Sequence, residues 1–343
     1  MKLKPNIASY SRWLDIQQYL SNESVLEVVA LVAQSPRDKA EIANDVLEEL
    51  IEMHILVEKD GLVKLNTAVF LENDILSILE SIKPCASELA NLVLTNGRAF
   101  QHAPAEIIIF LGGIIGFVQG VGMKLTQKNP DIWAWKSYTG KYPSSKIDFD
   151  EICEIYNAIE PDYLIKSVLQ GDEYTAVFIG PGGLNFEKLI FPKASDENRV
   201  YIRHLNRYLA DAYAKLTTGE ILSAALSSAA EAANLFEKGK PKTLVVTDQD
   251  MEKYSEAVQA IIEAASDYYA EKQPVFEVLL RSTTAGKQGV APMNQYMNLS
   301  RYIRKLTVKE LYAKGFFKDS IPEDGCLTVF YKNDVGLIRQ LLL

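Results

Sequence analysis

Only three cysteines and three histidines occur among 343 residues, and that scarcity removes several chemistries at once. Cys85, Cys153 and Cys326 lie far apart, form no CxxC pair and cluster with no histidine. Neither a zinc site nor a disulfide framework is expected, and reduced thiols in a cytoplasm fit best. Long apolar runs are also lacking. The nearest approach is "EIIIFLGGIIGFVQGVGMKL", residues 106–125, whose longest unbroken stretch of apolar or glycine positions is 107–118. That falls short of the roughly 20 residues needed to span a bilayer, so a buried helix is expected there. Its Gly112, Gly116 and Gly120 recur every fourth position and would leave one helical face bare enough for another helix to approach. The first residues, MKLKPNIASYSRW, contain no apolar signal core. Cations are in deficit as well, 36 Lys and Arg against 45 Asp and Glu, with a net charge of −9. An acidic chain of this kind is a poor match to a broad nucleic-acid surface.

What remains is an ordinary soluble composition, 48% hydrophobic and 24% charged, long enough for two domains. Apolar residues at three- and four-residue spacing predict helices over 9–21, 23–34 and 37–54. In the third, Ile42, Val46, Leu47, Leu50 and Ile51 form the inward face. "HILVEKDGLVKLNTAVFL" then reads as a strand, a Lys-Asp-Gly turn and a second strand. Three helices followed by a hairpin is the winged-helix arrangement, familiar from DNA binding. Charge opposes that use. Residues 1–75 carry seven cations against thirteen anions, and the would-be recognition helix bears Glu41, Asp45, Glu48, Glu49 and Glu52. Phosphates would be repelled, and a protein-contact role is the better reading.

Residues 75–170 read as mainly helical, with an irregular, aromatic-rich stretch around "NPDIWAWKSYTGKYPSSKIDF". From Tyr174 the pattern changes to alternation: strand "TAVFI", a glycine turn, a helix from about Asn185, then "RVYIRHL", "KTLVVTD" and "PVFEVLLRS" as strands with helices between. "GCLTVFYKN" supplies a last strand after the helix "TVKELYAKG". Such alternation predicts an α/β domain with a parallel sheet. Three successive segments are expected: a winged-helix, dimerisation-type domain over 1–100, a helical linker and pocket region over 101–170, and the α/β domain over 171–343.

Five segments in order carry a resemblance. "LANLVLTNGRAF" (89–100), "VFIGPGG" (177–183), "RVYIRHL", "TLVVTDQD" and "RKLTVKELYAKGFF" (304–317) together resemble the O-methyltransferases that use S-adenosylmethionine and dimerise through an N-terminal winged helix. The resemblance implies a Rossmann-like, class I methyltransferase-like catalytic domain, a homodimer and a small apolar or aromatic substrate. It implies that Gly180, Gly182 and Gly183 let backbone N–H groups approach the cofactor, and that His204 stands where the family places a ribose-binding acid. It also sets Thr247 and Asp248 at the family's catalytic His-Asp pair. Threonine is no base near neutral pH, so Asp248 is the candidate base.

This chain departs from the family at Phe178, where an Asp is usual, and at Leu184, where a third glycine is usual. His54 and His102 read as surface or packing histidines. Trp133, Trp135, Tyr138 and Tyr142 are candidates to line an apolar pocket. No metal and no membrane partner is expected. A rival reading keeps the winged helix on DNA and makes the C-terminal part an effector-sensing domain of a transcription regulator.

Overall fold

A computed structural model describes residues 2–5, 19–42, 45–101, 156–159, 164–170, 173–181, 236–237, 240–241, 244–246, 252–316 and 327–332. It is a mixed α/β protein of helices and small sheets. The chain divides into two compact units, each assembled from separate segments. The first comprises 1–86, 118–161 and 266–303; the second comprises 87–117, 162–265 and 304–343. The division falls inside three long helices, at 86/87, 265/266 and 303/304.

In the first unit, β1 (Lys4–Pro5) precedes α1 (Glu23–Gln34). The Asn22 side chain accepts the Ser24 N–H and so starts that helix. Val25, Val28, Val29 and Val32 recur at helical spacing and are buried. β2 (Arg37–Asp38) and a 3₁₀ turn (Lys39–Glu41) follow, then α2 (Leu47–Glu52). The helix expected over 37–54 is therefore shortened. Its first two residues pair with Val63 and Leu62, and the Asp38 carboxylate caps the Ala40 N–H at 2.9 Å instead of continuing an α-helical ladder. Of its expected inward face, Ile42, Leu47 and Leu50 are buried, while Val46 and Ile51 are partly buried against the same core.

The hairpin stands where the sequence puts it. β3 (Leu56–Lys59) and β4 (Leu62–Leu65) pair antiparallel across Asp60 and Gly61, both at positive φ, +57° and +75°. Two central residues in that region match the right-handed twist of the flanking strands. β2 adds to the other side of β4, giving the order β2-β4-β3. β5 (Val69–Phe70) leads into α3 (Glu72–Asn96), and β6 (Tyr156–Asn157) lies between β1 and β5.

α4 (Ser255–Arg281) corrects the expected strand at "PVFEVLLRS": the helix runs on through Pro274. Phe276 and Leu280 are buried while Val275 and Val278 are exposed, a helical and not a two-residue period. Proline removes one ladder hydrogen bond, and burial of Tyr269, Phe276 and Leu280 on one face offsets that loss. A one-turn helix, α5 (Thr284–Lys287), and α6 (Pro292–Ala313) complete the helices described.

In the second unit, the larger sheet has the order β11-β12-β8-β7. Its strands are β7 (Leu164–Gln170), β8 (Tyr174–Pro181), β11 (Leu244–Val246) and β12 (Leu327–Lys332). A short pair, β9 (Phe236–Glu237) and β10 (Lys240–Pro241), stands apart from it. β11 and β12 run parallel, but β8 runs antiparallel to both β12 and β7. The described sheet is thus mixed, where an all-parallel one was expected. Residues 171–173 are too few for a parallel crossover, so β7 and β8 can only be antiparallel neighbours. Residues 164–170, expected within a mainly helical region, form β7 and extend the sheet instead. No helix among the described residues is long and apolar enough to cross a membrane.

Candidate functional site

Within the second unit, the described side chains that converge come from the C-terminal end of α3, the N-terminal part of α4 and the C-terminal part of α6. The junction is Gly97. A Cβ built there would lie 2.7 Å from the Val93 carbonyl oxygen, 2.8 Å from Ile261 Cδ1 and 3.5 Å from Phe316 Cζ. Only glycine lets these three segments close, because any side chain would meet a backbone oxygen at a distance that real Cβ atoms do not show. Lys314 Nζ donates to Asn91 Oδ1 at 2.7 Å, a second tie between the ends of α3 and α6.

Beyond Gly97, a 3₁₀ turn (Arg98–Phe100) carries Phe100 into a stack on Tyr254, centroids 4.6 Å apart and planes 11° from parallel. Both rings are buried. Lys253 Nζ sits 4.8 Å from the Tyr254 ring centre, a cation on the π face. Tyr254 follows Asp248 by six positions, so the stack is close in sequence to the expected catalytic pair.

α6 contributes Arg304, Lys305 and Thr307, all buried. Lys305 is only 7% exposed. Burial, and then repulsion from Lys309 one helical turn on, pull its ammonium down to about 8 from an ordinary value of 10.5. A lysine so placed carries a labile proton near neutral pH, a property common at functional sites. Its place on the inward face was legible in the sequence, since 302, 305 and 308 share one side of the helix and Tyr302 and Val308 are both buried. Lys305 and Phe100 both fall in segments that carry the resemblance, which assigns neither a role, and Tyr254 lies in none of those segments.

The expected cofactor glycines fare differently. Gly180 lies within β8, opposite Ile165 of β7, with Pro181 opposite Leu164. The strand is longer than "TAVFI", and Gly180 belongs to the ladder rather than to a turn beyond it. Gly182, Gly183, His204, Thr247 and Asp248 lie outside the described residues, as do Phe178's side chain, Leu184, His102, the Gly112/Gly116/Gly120 face and the aromatic stretch with Trp133, Trp135, Tyr138 and Tyr142. No group of histidine, cysteine and acidic side chains suited to a metal ion occurs among the described residues.

His54 is described, and its role is local. It ends α2 at φ +57°, with its N–H bonded to the Ile51 carbonyl and the Ile55 N–H to the Leu50 carbonyl. That is the paired closure of a helix end, with histidine where glycine is usual.

Family models, curated proteins and solved structures give no match to this chain.

Proposed function

We propose that the chain is a diverged methyltransferase-like protein that binds a small apolar or aromatic metabolite in its α/β unit and dimerises through a winged-helix unit used for protein contact. The junction at Gly97 carries this reading. Residues 89–100 and 304–317 are two of the five segments behind the resemblance, and they lie some 200 positions apart. Gly97 and Phe316 nonetheless pack side by side, with Asn91 and Lys314 hydrogen-bonded. Segments that serve a common site are expected to meet in this way.

The order α1, β2, α2, β3, β4, with β2 antiparallel to β4, supports the winged-helix reading of the first unit. Its electrostatics support protein contact over DNA. Lys39 Nζ lies 2.7 Å from Glu48 and 3.2 Å from Glu58, Arg37 pairs with Glu41, and Lys64 pairs with Asp60. The hydrogen bonds to Glu48 and then Glu58 raise the Lys39 pKa, and the two carboxylates beside this ammonium disfavour an approaching phosphate. The regulator reading requires the reverse.

For the cofactor, Gly180 is the one proposed cradle residue among those described. It pairs with Ile165 of β7, while the pairing of β8 with β12 ends at Ile179. The sequence departures at Phe178, Leu184 and His204 favour weak adenosylmethionine binding. Calorimetry tests the reading directly. Titration with adenosylmethionine and adenosylhomocysteine is expected to give dissociation constants no tighter than about 100 µM, roughly 5 kcal/mol of binding. Sub-micromolar binding would restore the methyl-transfer reading, with Asp248 as its base. An electrophoretic shift on DNA fragments at low salt, absent here by expectation, would favour the regulator.

A further inference from the structure

The outer face of α4 carries an apolar pair that the core does not use. Phe276 and Leu280 point inward, Phe276 between Tyr269 and Tyr296 at centroid distances of 6.3 and 6.1 Å. On the other side Val275 is 56% and Val278 71% exposed. Glu271, Pro274 and Arg281 are exposed at the same three- and four-residue spacing, so together they form one stripe along the helix. Two β-branched residues exposed to this extent in the middle of a helix have little helix propensity and no packing in the described chain to justify them.

The stripe is complementary to itself. Glu271 lies five residues before Phe276 and Arg281 five after it, about 7.5 Å along the axis in each direction at 1.5 Å per residue. A second copy of α4, laid antiparallel about a two-fold axis at the level of Phe276, brings Glu271 of each copy level with Arg281 of the other. Val275 and Val278 then meet Pro274 and Val275 of the second copy in the middle. An isologous contact must be complementary to itself, and opposite charges equidistant from an apolar centre satisfy that condition. The charges at the two ends are available for it, since their present contacts are exposed pairs within their own helix, Glu271 with Lys272 and Arg281 with Glu277.

We propose that this stripe of α4 is a self-association surface, and that its occupant is a second copy of this chain in antiparallel register. The proposal deepens the dimer reading above by naming a contact on the first unit that lies outside its winged-helix elements α1 to β4. One helix pair of about ten residues covers less area than a stable interface of roughly 1,200–2,000 Å², so this contact adds to a dimer or forms a weak one by itself.

Sedimentation equilibrium on the full chain at about 10–100 µM, a range that reveals weak dimers, tests it with four variants. Val278→Asp is expected to raise the dimer dissociation constant at least tenfold, with an unchanged circular-dichroism melt because the side chain is exposed. Glu271→Arg and Arg281→Glu are each expected to weaken the dimer, and the double exchange Glu271→Arg/Arg281→Glu to recover it to near the wild-type value. That recovery needs no judgement about folding, since a merely destabilising pair of changes would compound. A dimer indifferent to Val278→Asp, or a double exchange no better than its singles, overturns this surface while leaving a dimer formed elsewhere intact. A wild-type monomer throughout the range overturns both.

Discussion

Asp74 joins the starts of two helices, and its bond to Thr284 spans 210 positions of the chain. Its Oδ2 accepts the Leu71 N–H at 2.9 Å, closing the first turn of α3, and its Oδ1 accepts the Thr284 N–H at 2.9 Å, the first residue of α5. A carboxylate at the third position of one helix normally reaches back to the residue before that helix; here its second oxygen also caps another. Gln288, just past α5, extends the same tie: its amide accepts the Leu65 N–H at 2.9 Å and donates to the Val32 carbonyl at 2.8 Å. A short helix with few residues to bury is thus held to α1 and the hairpin by side-chain bonds to backbone.

Asp74→Ala should therefore be costly. It leaves two part-buried N–H groups without acceptors, each worth about 1–3 kcal/mol when unsatisfied. A loss of about 2–4 kcal/mol in urea unfolding is expected. Asp74→Asn, which keeps one acceptor oxygen, should lose less than Asp74→Ala. Equal losses would show that one remaining oxygen stabilises nothing without the other.

At the end of α2 the expected effect has the opposite sign. His54 adopts φ +57°, a region that costs a residue with a Cβ about 1 kcal/mol and glycine almost nothing. Its side chain is exposed, and its backbone already makes the closing bond to Ile51 that Gly315 makes to Tyr312 at the end of α6. His54→Gly is expected to stabilise by about 0.5–1 kcal/mol. A fall in the urea midpoint would show that the imidazole does more than cap.

Gly97→Ala tests the junction in the second unit. The new methyl would meet the Val93 oxygen, which is backbone and cannot rotate away, as well as Ile261 Cδ1. Destabilisation of about 2–3 kcal/mol is expected from overpacking. Adding Ile261→Val should recover only part of it, because shortening the isoleucine relieves the side-chain contact and leaves the carbonyl contact. Full recovery would place the strain on Ile261 alone.

How far the sequence reveals this protein depends on whether a local signal has a single structural solution. Asp60-Gly61 has one, a two-residue turn, and the hairpin follows in register. Val25, Val28, Val29 and Val32 likewise admit only a helix with one buried face. "PVFEVLL" has two solutions, since its β-branched residues suit a strand and its Phe276–Leu280 spacing suits a helix; packing against Tyr296 decides for the helix. β7 was hidden for a related reason. "LIKSVLQ" is short and follows an irregular stretch, and its partner β8 carries a glycine-rich end that invites a different assignment. Reading Gly180 as part of a turn depended on where β8 stops, and element ends are set by pairing with neighbours more than by the residues themselves. Lys305 was readable in principle from helical spacing, but only a buried environment gives it chemical interest.

That environment predicts a pH dependence with a definite sign. Lys305 holds its proton up to about pH 8 in the folded chain and to about 10.5 when unfolded. Between these values the unfolded chain binds more protons, so stability rises with pH through the window. Below pH 8 both states are charged and the penalty for burying the ammonium is constant. The upper end is cut short by the buried tyrosines. Burial pushes Tyr156 and Tyr296 above 10, so the unfolded chain loses those phenolic protons first and the folded state weakens beyond about pH 10. Unfolding midpoints measured from pH 7 to 10 should therefore climb above pH 8 in the wild type. Lys305→Met removes the titrating group while keeping an unbranched chain of similar length, and it should flatten that climb. A wild-type curve already flat from pH 8 to 10, or a climb unchanged in Lys305→Met, would mean that the Lys305 ammonium is not held in the dry surroundings that its 7% exposure implies.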